Sequence, residues 1–179
     1  MLKKIKLKLS KFFISFYSLV KQARLAGVVI GHDSFVNSKF WSNEPYLIKI
    51  GNNCAITNGV KIFTHGGARV ARLKHPKFDC FGRVEIGDNV YLGTNSLIMP
   101  GVTIGSNVLV AAGSVVTNSI PANVVIGGNP ARIICTLDQY VNKNIPFNLD
   151  TKGMSTNEKK SIILSVDNSK LIRKKEISF

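Results

Sequence analysis

The stretch IGDNVYLGTNSLIMPGVTIGSNVLVAAGSVVTNSIPA, residues 86–122, carries an aliphatic side chain at every sixth position. A small or moderate-sized side chain follows each of them four residues later. A period of six fits neither an α-helix nor an alternating strand, whereas a fixed short period is typical of stacked hexapeptide repeats. The pattern therefore predicts an all-β repeat, a parallel β-helix. The aliphatic positions are Ile86, Leu92, Ile98, Ile104, Val110 and Val116, and the smaller ones are Val90, Ser96, Val102, Val108, Ser114 and Ile120.

Each hexad is expected to supply one short strand and one corner, so that three hexads complete a triangular coil and residues 86–121 form two coils. Hydrogen bonds between coils then bury one continuous core. Glycine and asparagine near the corners, as in Asp88-Asn89 and Ser106-Asn107, suit the tight turns that such a coil needs.

An earlier and less regular set of hexads begins at Ile30-Gly31 and continues from Ile50-Gly51 to Ile62. Two segments interrupt the period, residues 37–49 and residues 64–83. A long irregular segment in a compact repeat fold is usually functional. The two interruptions are therefore the places where we expect the chemistry.

The two ends of the chain differ from the repeat. Residues 1–26 are predicted to form a basic amphipathic helix that packs on the coil or a neighbouring chain, or adsorbs to an anionic membrane surface. The uncharged run 12–20 is too short to span a bilayer, and the basic residues after it disfavour a signal peptide. We expect the coil over 27–135 and a C-terminal extension over 136–179, with a helical turn near 137–141 and a polar linker over 148–161.

The formal net charge is +14, from 24 Lys and Arg against 10 Asp and Glu. The bases are concentrated in residues 1–26, in the 64–83 segment and in the tail, which favours anionic partners such as phosphates, acidic sugars, nucleic acid or a membrane surface. The three cysteines form no CxxC pair, which argues against a zinc ribbon or a disulfide framework. A reducing, cytoplasmic location is the simpler interpretation.

Several motifs taken together resemble the hexapeptide-repeat acyltransferases, in particular the maltose and galactoside O-acetyltransferases and the sugar acetyltransferases of capsule and O-antigen clusters. That resemblance covers about residues 20–135. It implies a left-handed coil, a homotrimer and acetyl-CoA as co-substrate, with no tightly bound cofactor. The motifs are Ile50-Gly51-Asn52-Asn53, Thr64-His65-Gly66-Gly67, Ile86-Gly87-Asp88-Asn89, Pro100-Gly101-Val102-Thr103-Ile104-Gly105, Ala112-Gly113-Ser114 and Gly128-Asn129-Pro130-Ala131-Arg132.

His65 is the candidate catalytic residue. It opens the long 64–83 segment directly after an aliphatic hexad, so that a rigid strand can position it. A neutral imidazole can take the proton of a sugar hydroxyl while the oxygen attacks a thioester. The catalytic histidine of the resembling family falls at the same place.

The acceptor side is harder to assign. Glu44 precedes a coil, and three interpretations are open for it: it orients His65, it binds a sugar hydroxyl, or it is a solvated turn residue. His75, Arg69 and Arg72 lie in the same long segment as His65 and are candidates for contact with the substrate. The sequence leaves open whether this basic segment holds the nucleotide of coenzyme A or an anionic acceptor.

The resemblance also implies contacts to acetyl-CoA. Tyr91 stands where relatives often carry a tryptophan beside the pantetheine arm, and an aromatic ring there can cover an apolar chain. Gly93, Ala111 and Ala112 are implied to offer main-chain contacts, and Arg132 is the best candidate for a phosphate contact. Asn118 and Cys135 depart from the family pattern, because relatives often carry basic residues at these two places.

Other functions fit the residues less well. The acceptor could be the amine of a nucleotide-linked amino sugar. A zinc carbonic anhydrase of similar shape needs three histidine ligands, and His32, His65 and His75 do not fall in that pattern. A non-enzymatic scaffold or anionic-polymer binder would use the net charge, although the basic segments lack the interleaved aromatics of nucleic-acid binders.

Overall fold

The computed structural model describes residues 17–176, and the chain forms two compact units, one ending at Leu137 and the other beginning at Asp138. The first unit holds the repeat. Its strands are β1 (Val29–Ile30), β2 (Phe35–Val36), β3 (Ile48–Ile50), β4 (Ala55–Ile56), β5 (Lys61–Ile62), β6 (Val84–Ile86), β7 (Tyr91–Leu92), β8 (Leu97–Ile98), β9 (Thr103–Ile104), β10 (Leu109–Val110), β11 (Val115–Val116), β12 (Val124–Gly128) and β13 (Ala131–Thr136).

The strands form three sheets that the chain visits in turn. The first sheet has the order β1-β3-β6-β9, the second β2-β4-β7-β10-β12-β13 and the third β5-β8-β11. Neighbouring strands pair in parallel, except that β13 folds back antiparallel on β12. Pairs such as Ile86 with Ile104 and Ile98 with Val116 join residues one three-hexad coil apart. The predicted stack of parallel three-sided coils is confirmed.

The core of the coil is built from the two inward positions of each hexad. The aliphatic members from Ile86 to Val116 are at most 3% exposed, and the smaller ones from Val90 to Ser114 are at most 2% exposed. Fully burying one such aliphatic side chain contributes about 1.5–3 kcal/mol. The repetition of one inward pair per strand therefore explains why strands of only two residues are stable here.

One corner of the coil is held by a ladder of asparagines. Asn53, Asn89, Asn107 and Asn123 all have positive φ, between 51° and 63°. The side-chain amides of Asn53, Asn89 and Asn107 each donate to the amide oxygen of the asparagine in the next coil, at 2.8, 3.0 and 2.9 Å. Asparagine tolerates left-handed backbone, and its amide both donates and accepts, so that one residue type serves four successive levels of this corner.

The two predicted interruptions are real departures from the coil. The first lies between β2 and β3 and contains a single 3₁₀ turn, Pro45–Leu47. The second lies between β5 and β6 and contains a short helix at Ala68–Ala71, which we call α2.

Helix α1 (Leu19–Ala26) covers one end of the coil. Ser18 caps the first turn of the helix by accepting from Lys21 N at 3.3 Å. Gly27, whose φ is 115°, caps its C-terminal end. Ala23 is fully buried. Leu19 and Val20 pack against the core cluster. These residues follow the packing alternative predicted for the N-terminal helix. The prediction of one continuous helix over 1–26 is wrong at residues 17 and 18, because Ser18 has non-helical backbone and caps the helix that begins at Leu19. Residues 1–16 lie outside the described residues.

The C-terminal part contains α3 (Leu137–Asn144) and α4 (Thr156–Ser165). The helical turn expected near 137–141 is therefore present and longer than expected. The linker predicted over 148–161 is wrong for its second half, because α4 begins inside it. Ser155 and Glu158 form a capping box there, with Ser155 N donating to Glu158 Oε2 at 2.8 Å. The Ser-x-x-Glu spacing was a readable signal for this helix start.

None of the helices within residues 17–176 is both long enough and apolar enough to cross a lipid bilayer.

Candidate active site

The two interruptions of the coil meet side by side. Phe40, in the first, forms a parallel bridge with Lys61, at the start of β5. This pairing carries Ser42 and Glu44 up to the beginning of the second interruption, where Thr64 follows the end of β5. The site is therefore built where one irregular segment lies beside the strand that leads into the other.

A hydrogen-bonded chain of four side chains lies at this junction. His65 Nδ1 is 2.6 Å from Glu44 Oε2, and Thr64 Oγ1 is also 2.6 Å from the same carboxylate oxygen. Thr64 N–H donates to Ser42 Oγ at 3.3 Å, and the two hydroxyl oxygens are 2.8 Å apart. Since a hydroxyl has one proton, Thr64 O–H donates to the carboxylate and Ser42 O–H donates to Thr64.

The carboxylate of this chain is held in its ionised form. The hydrogen bond from Thr64 lowers the pKa of Glu44 below its ordinary value, partial burial opposes that effect, and His65 lowers the pKa further. An ionised carboxylate accepts hydrogen bonds only, so a neutral His65 must carry its proton on Nδ1. This tautomer leaves Nε2 as the basic atom of the ring.

Surrounding groups fix the imidazole without covering it. The side chain of His65 is 32% exposed and that of Glu44 15% exposed. The Phe81 ring lies 5.9 Å from the imidazole, and the main chains of His65 and Phe81 form an antiparallel bridge. Nε2 has no hydrogen-bond partner within residues 17–176, and it is free to meet a substrate.

Two clefts open on either side of His65. One, of about 420 Å³, is polar, and we call it the polar cleft. Besides the three residues that line both clefts, it is lined by Glu44, Gly67, Ala68, Arg69, Arg72, Asp79 and Phe81. The other, of about 610 Å³, has a mixed lining in which the three aromatic rings of Phe40, Trp41 and Phe63 lie beside Lys39 and Ser42. Asn43, His65 and Gly66 line both clefts. Two substrates could thus reach the same imidazole from different sides.

The predicted acceptor-side residues divide into two groups. Glu44, Arg69 and Arg72 line the polar cleft together with His65. Their roles remain predictions, since geometry alone does not assign them. His75 lies in the turn that follows α2, where its N–H donates to Ala71 O at 2.9 Å, and it lines neither cleft. The structure does not bring His75 to the imidazole.

The predicted donor-side residues lie together, but away from His65. Tyr91 points outward from β7 and is 45% exposed, and Arg132 is on β13 of the same sheet. Gly93 and Ala111 stand at the corner that leads from the second sheet to the third. His65 instead follows β5 of the third sheet, at another corner. Within one chain the two sets do not meet in a common cleft.

The structure shows which of the three residues implied to contact acetyl-CoA through the main chain still has an N–H group available. Gly93 N–H donates to Val110 O, and Ala111 N–H donates to Ile126 O, both at 2.9 Å. These two N–H groups are therefore engaged within the coil and cannot donate to a ligand. Ala112 N–H has no hydrogen-bond partner within the described residues. Ala112 N–H is therefore free to donate to a ligand at this corner.

Thr64 and Ser42 are the functional candidates that the sequence did not reveal. Thr64 directly precedes His65, and a hydroxyl residue next to a candidate base was a usable signal. Its full burial is seen only in the structure. The contact of Ser42 with Thr64 spans 22 positions and had no signal in the sequence.

No group of three His, Cys, Asp or Glu side chains within residues 17–176 is arranged to hold a metal ion.

Comparison with known proteins places this geometry in context. Residues 83–118 match the model of the bacterial transferase hexapeptide (six repeats). Protein CapG of Staphylococcus aureus is 46% identical over 168 residues, which cover 92% of this chain and 95% of CapG. Galactoside O-acetyltransferase of Escherichia coli K12 is 35% identical over 61% of this chain, which spans only 54% of that enzyme.

Solved structures share the coil. A maltose O-acetyltransferase from Clostridium difficile 630 superposes with a TM-score of 0.53 and 36% identity, over 62% of this chain and 59% of that one. A galactoside acetyltransferase in complex with coenzyme A superposes with a TM-score of 0.52 and 24% identity, which supports the fold alone.

Proposed function

This chain belongs to the bacterial hexapeptide-repeat transferases, an enzyme family whose matched members include acetyltransferases, and we propose that it transfers the acetyl group of acetyl-CoA to a sugar hydroxyl. The observation that carries the proposal is the hydrogen bond of His65 Nδ1 to Glu44, which leaves Nε2 as the basic atom of a residue that lines two clefts. Direct acetyl transfer between two bound substrates needs such an arrangement.

In the proposed reaction, Nε2 of His65 takes the proton of the acceptor hydroxyl as its oxygen attacks the thioester carbonyl carbon. The carbon–sulfur bond of the resulting tetrahedral intermediate then breaks. The thiolate of coenzyme A leaves with the electron pair and receives the proton back from His65. General base catalysis of this kind contributes about 10²- to 10⁴-fold.

Glu44 supports this step without touching the substrate. When Nε2 takes up a proton the ring becomes a cation, and the carboxylate 2.6 Å from Nδ1 stabilises that charge. Thr64 keeps the carboxylate ionised and oriented through its hydrogen bond, and Ser42 holds the Thr64 hydroxyl in turn. Glu44 is therefore assigned as a positioning residue, in preference to direct binding of a sugar hydroxyl.

We propose that the coil is left-handed and assembles as a homotrimer, as the family resemblance implies. Two observations support an assembly. The donor-side residues and His65 occupy different corners of one chain, so that a neighbouring copy could join them into one site. The outward residues Phe35 and Tyr91 of the second sheet are apolar, whereas Lys49 and Glu85 of the first are charged.

The donor acetyl-CoA is proposed to lie along the second sheet, with Tyr91 beside the pantetheine arm, Ala112 N–H as a main-chain donor and Arg132 near a phosphate. A role in surface polysaccharide synthesis is proposed from the resemblance of the sequence motifs to the sugar acetyltransferases of capsule and O-antigen clusters. A cytoplasmic location, with peripheral membrane contact through residues 1–26, goes with that role.

Release of the coenzyme A thiol in the presence of acetyl-CoA and a panel of sugars tests the proposal. His65→Ala should lower kcat at least about 100-fold, because the base is removed. Circular dichroism melting of the variant checks that loss of the hydrogen bond to Glu44 has not unfolded the protein. His32→Ala is a matched control, since His32 Nδ1 also pairs with a carboxylate, Asp33 Oδ2 at 2.7 Å, but lines neither cleft.

Full activity of the His65→Ala enzyme would contradict the mechanism. An amino sugar used beside its hydroxyl analogue separates O- from N-acetylation. The acceptor with the far higher kcat/KM identifies the reaction, and preference for the amine would refute the proposed sugar hydroxyl.

A further inference from the structure

The second interruption carries a charge that the proposed chemistry does not use. Residues 64–83 contain five bases, Arg69, Arg72, Lys74, Lys77 and Arg83, against the single acid Asp79. Two of the five bases, Arg69 and Arg72, line the polar cleft that His65 shares.

These two arginines are in different electrostatic states. Arg72 Nη2 lies 3.2 Å from Asp79 Oδ2, and its Nε donates to Phe78 O at 2.9 Å. Its guanidinium is thereby compensated and fixed. Arg69 has neither an ion pair nor a side-chain hydrogen bond within residues 17–176, and its side chain is exposed.

The other acid of the cleft does not compensate Arg69 either, because Glu44 is committed to His65 and Thr64. Between His65 and Arg69 the wall of the cleft is bare main chain at Gly66 and Gly67. A Cβ placed on either glycine would meet no atom within 4 Å. A ligand group therefore has room beside the imidazole and an unpaired cation to reach.

The position of Arg69 distinguishes the acceptor from the donor. In acetyl-CoA the phosphates are separated from the reacting thioester by the whole pantetheine arm. The acceptor hydroxyl, in contrast, must lie within hydrogen-bond reach of His65 Nε2. A cation that lines the same cleft as His65 is therefore at the acceptor end of the site.

We infer that the polar cleft binds a negatively charged group of the acceptor through Arg69, so that the enzyme selects acidic or phosphorylated sugars over neutral ones. This inference rests on the proposed function, because it names the acceptor class of that same site. A planar guanidinium suits both a carboxylate and a phosphate, since it can bind either through two parallel hydrogen bonds.

Paired acceptors test the inference. One arm compares p-nitrophenyl β-glucuronide with p-nitrophenyl β-glucoside, and the other compares glucose 1-phosphate with methyl glucoside. Wild-type kcat/KM should be about 10- to 100-fold higher for the charged member of at least one pair, as expected for a charge-assisted hydrogen bond. The arm with the larger ratio identifies the carboxylate or the phosphate as the recognised group.

Arg69→Gln should remove that preference while leaving the KM for acetyl-CoA unchanged. Lys77→Gln is the matched control, since it removes one charge from the same segment at a residue that lines neither cleft. A wild-type preference for neutral sugars would overturn the inference. So would an Arg69→Gln enzyme with a raised KM for acetyl-CoA and an unchanged acceptor preference, because Arg69 would then serve the donor.

A binding measurement separates this inference from the proposed function. If no sugar accepts acetyl, the proposed function fails, and calorimetric titration of the glucuronide and of glucose 1-phosphate decides the inference independently. Binding that disappears in Arg69→Gln supports the polar cleft as an anionic-sugar site. Absence of binding to the wild type, or equal binding to both proteins, overturns it.

Discussion

Replacing Glu44 with glutamine separates the charge of this side chain from its shape. Glutamine has the same length as glutamate. In the wild type His65 Nδ1 lies 2.6 Å from the carboxylate, and the amide oxygen of glutamine can still accept from Nδ1–H. What is lost is the negative charge that faces the imidazolium formed in the transition state. The expected result is a lower kcat with an almost unchanged KM for both substrates.

The size of this effect follows from the geometry. A hydrogen bond to a charged group is worth about 1.5–3 kcal/mol and a neutral one about 0.5–1.5 kcal/mol, so that the change to glutamine loses about 1–1.5 kcal/mol. Since each 1.4 kcal/mol is a factor of ten, kcat should fall about 5- to 10-fold. The lower part of that range is favoured because His65 is 32% exposed and solvent screens the pair.

Steady-state release of coenzyme A thiol, measured at saturating acetyl-CoA over a range of acceptor concentrations, gives kcat and KM separately. Circular dichroism melting checks that the variant is folded. A kcat within threefold of the wild type together with a raised acceptor KM would refute the reasoning, because Glu44 would then bind a sugar hydroxyl.

Three further predictions concern stability. Ser96→Ala should raise the free energy of unfolding in urea by about 1–3 kcal/mol, because Ser96 Oγ is buried with no hydrogen-bond partner within residues 17–176. Ser114→Ala should lower that free energy by about 1 kcal/mol, because Ser114 Oγ donates to Ala111 O at 2.7 Å. Destabilisation by both changes would contradict this reasoning. Gly93→Ala should lower the free energy of unfolding in the same urea titration by about 1–3 kcal/mol, because its Cβ would lie 2.5 Å from Ala112 N. Gly66→Ala is the control, since there is open space around Gly66, and its free energy of unfolding should equal that of the wild type. Because the pKa of Glu44 is lowered in the folded protein, principally by the Thr64 hydrogen bond, its ionised form stabilises the fold above the ordinary value of 4.5, and this contribution is lost as the pH falls through the folded pKa. Glu44→Gln should therefore lose less stability than the wild type as the pH is lowered from 7 through that range, and identical acid profiles of the melting temperature would show that the carboxylate contributes nothing.

The coil could be predicted from the sequence because its cause is local and repeated. An inward aliphatic at every sixth position, from Ile86 to Val116, requires each strand to turn the same side toward one axis. No distant residue has to be known for that inference. The start of α4 was equally local, in Ser155 and Glu158, and was missed only because the polar composition of the segment suggested a linker.

The candidate site was predictable only in part. His65 stood out because it follows the end of a regular strand, where the period stops. The alternatives for Glu44 remained open in the sequence, since a carboxylate 21 positions away can face the imidazole, the solvent or a ligand. The sequence also did not distinguish Arg69 from Arg72. Both are cations of one segment, and only the structure shows that Arg72 is paired with Asp79 whereas Arg69 has no such partner within residues 17–176.

The sequence by itself determined the period, the core and the identity of the candidate base, because a repeat encodes its inward face in every hexad. Only the tertiary structure decided that Ser42, Thr64 and Glu44 form one hydrogen-bonded chain on His65 and that Arg69 remains unpaired beside it. The physical reason is that these contacts join two irregular segments. The stacking of the coils sets the relative position of these two segments. No pattern in the sequence of either segment encodes it.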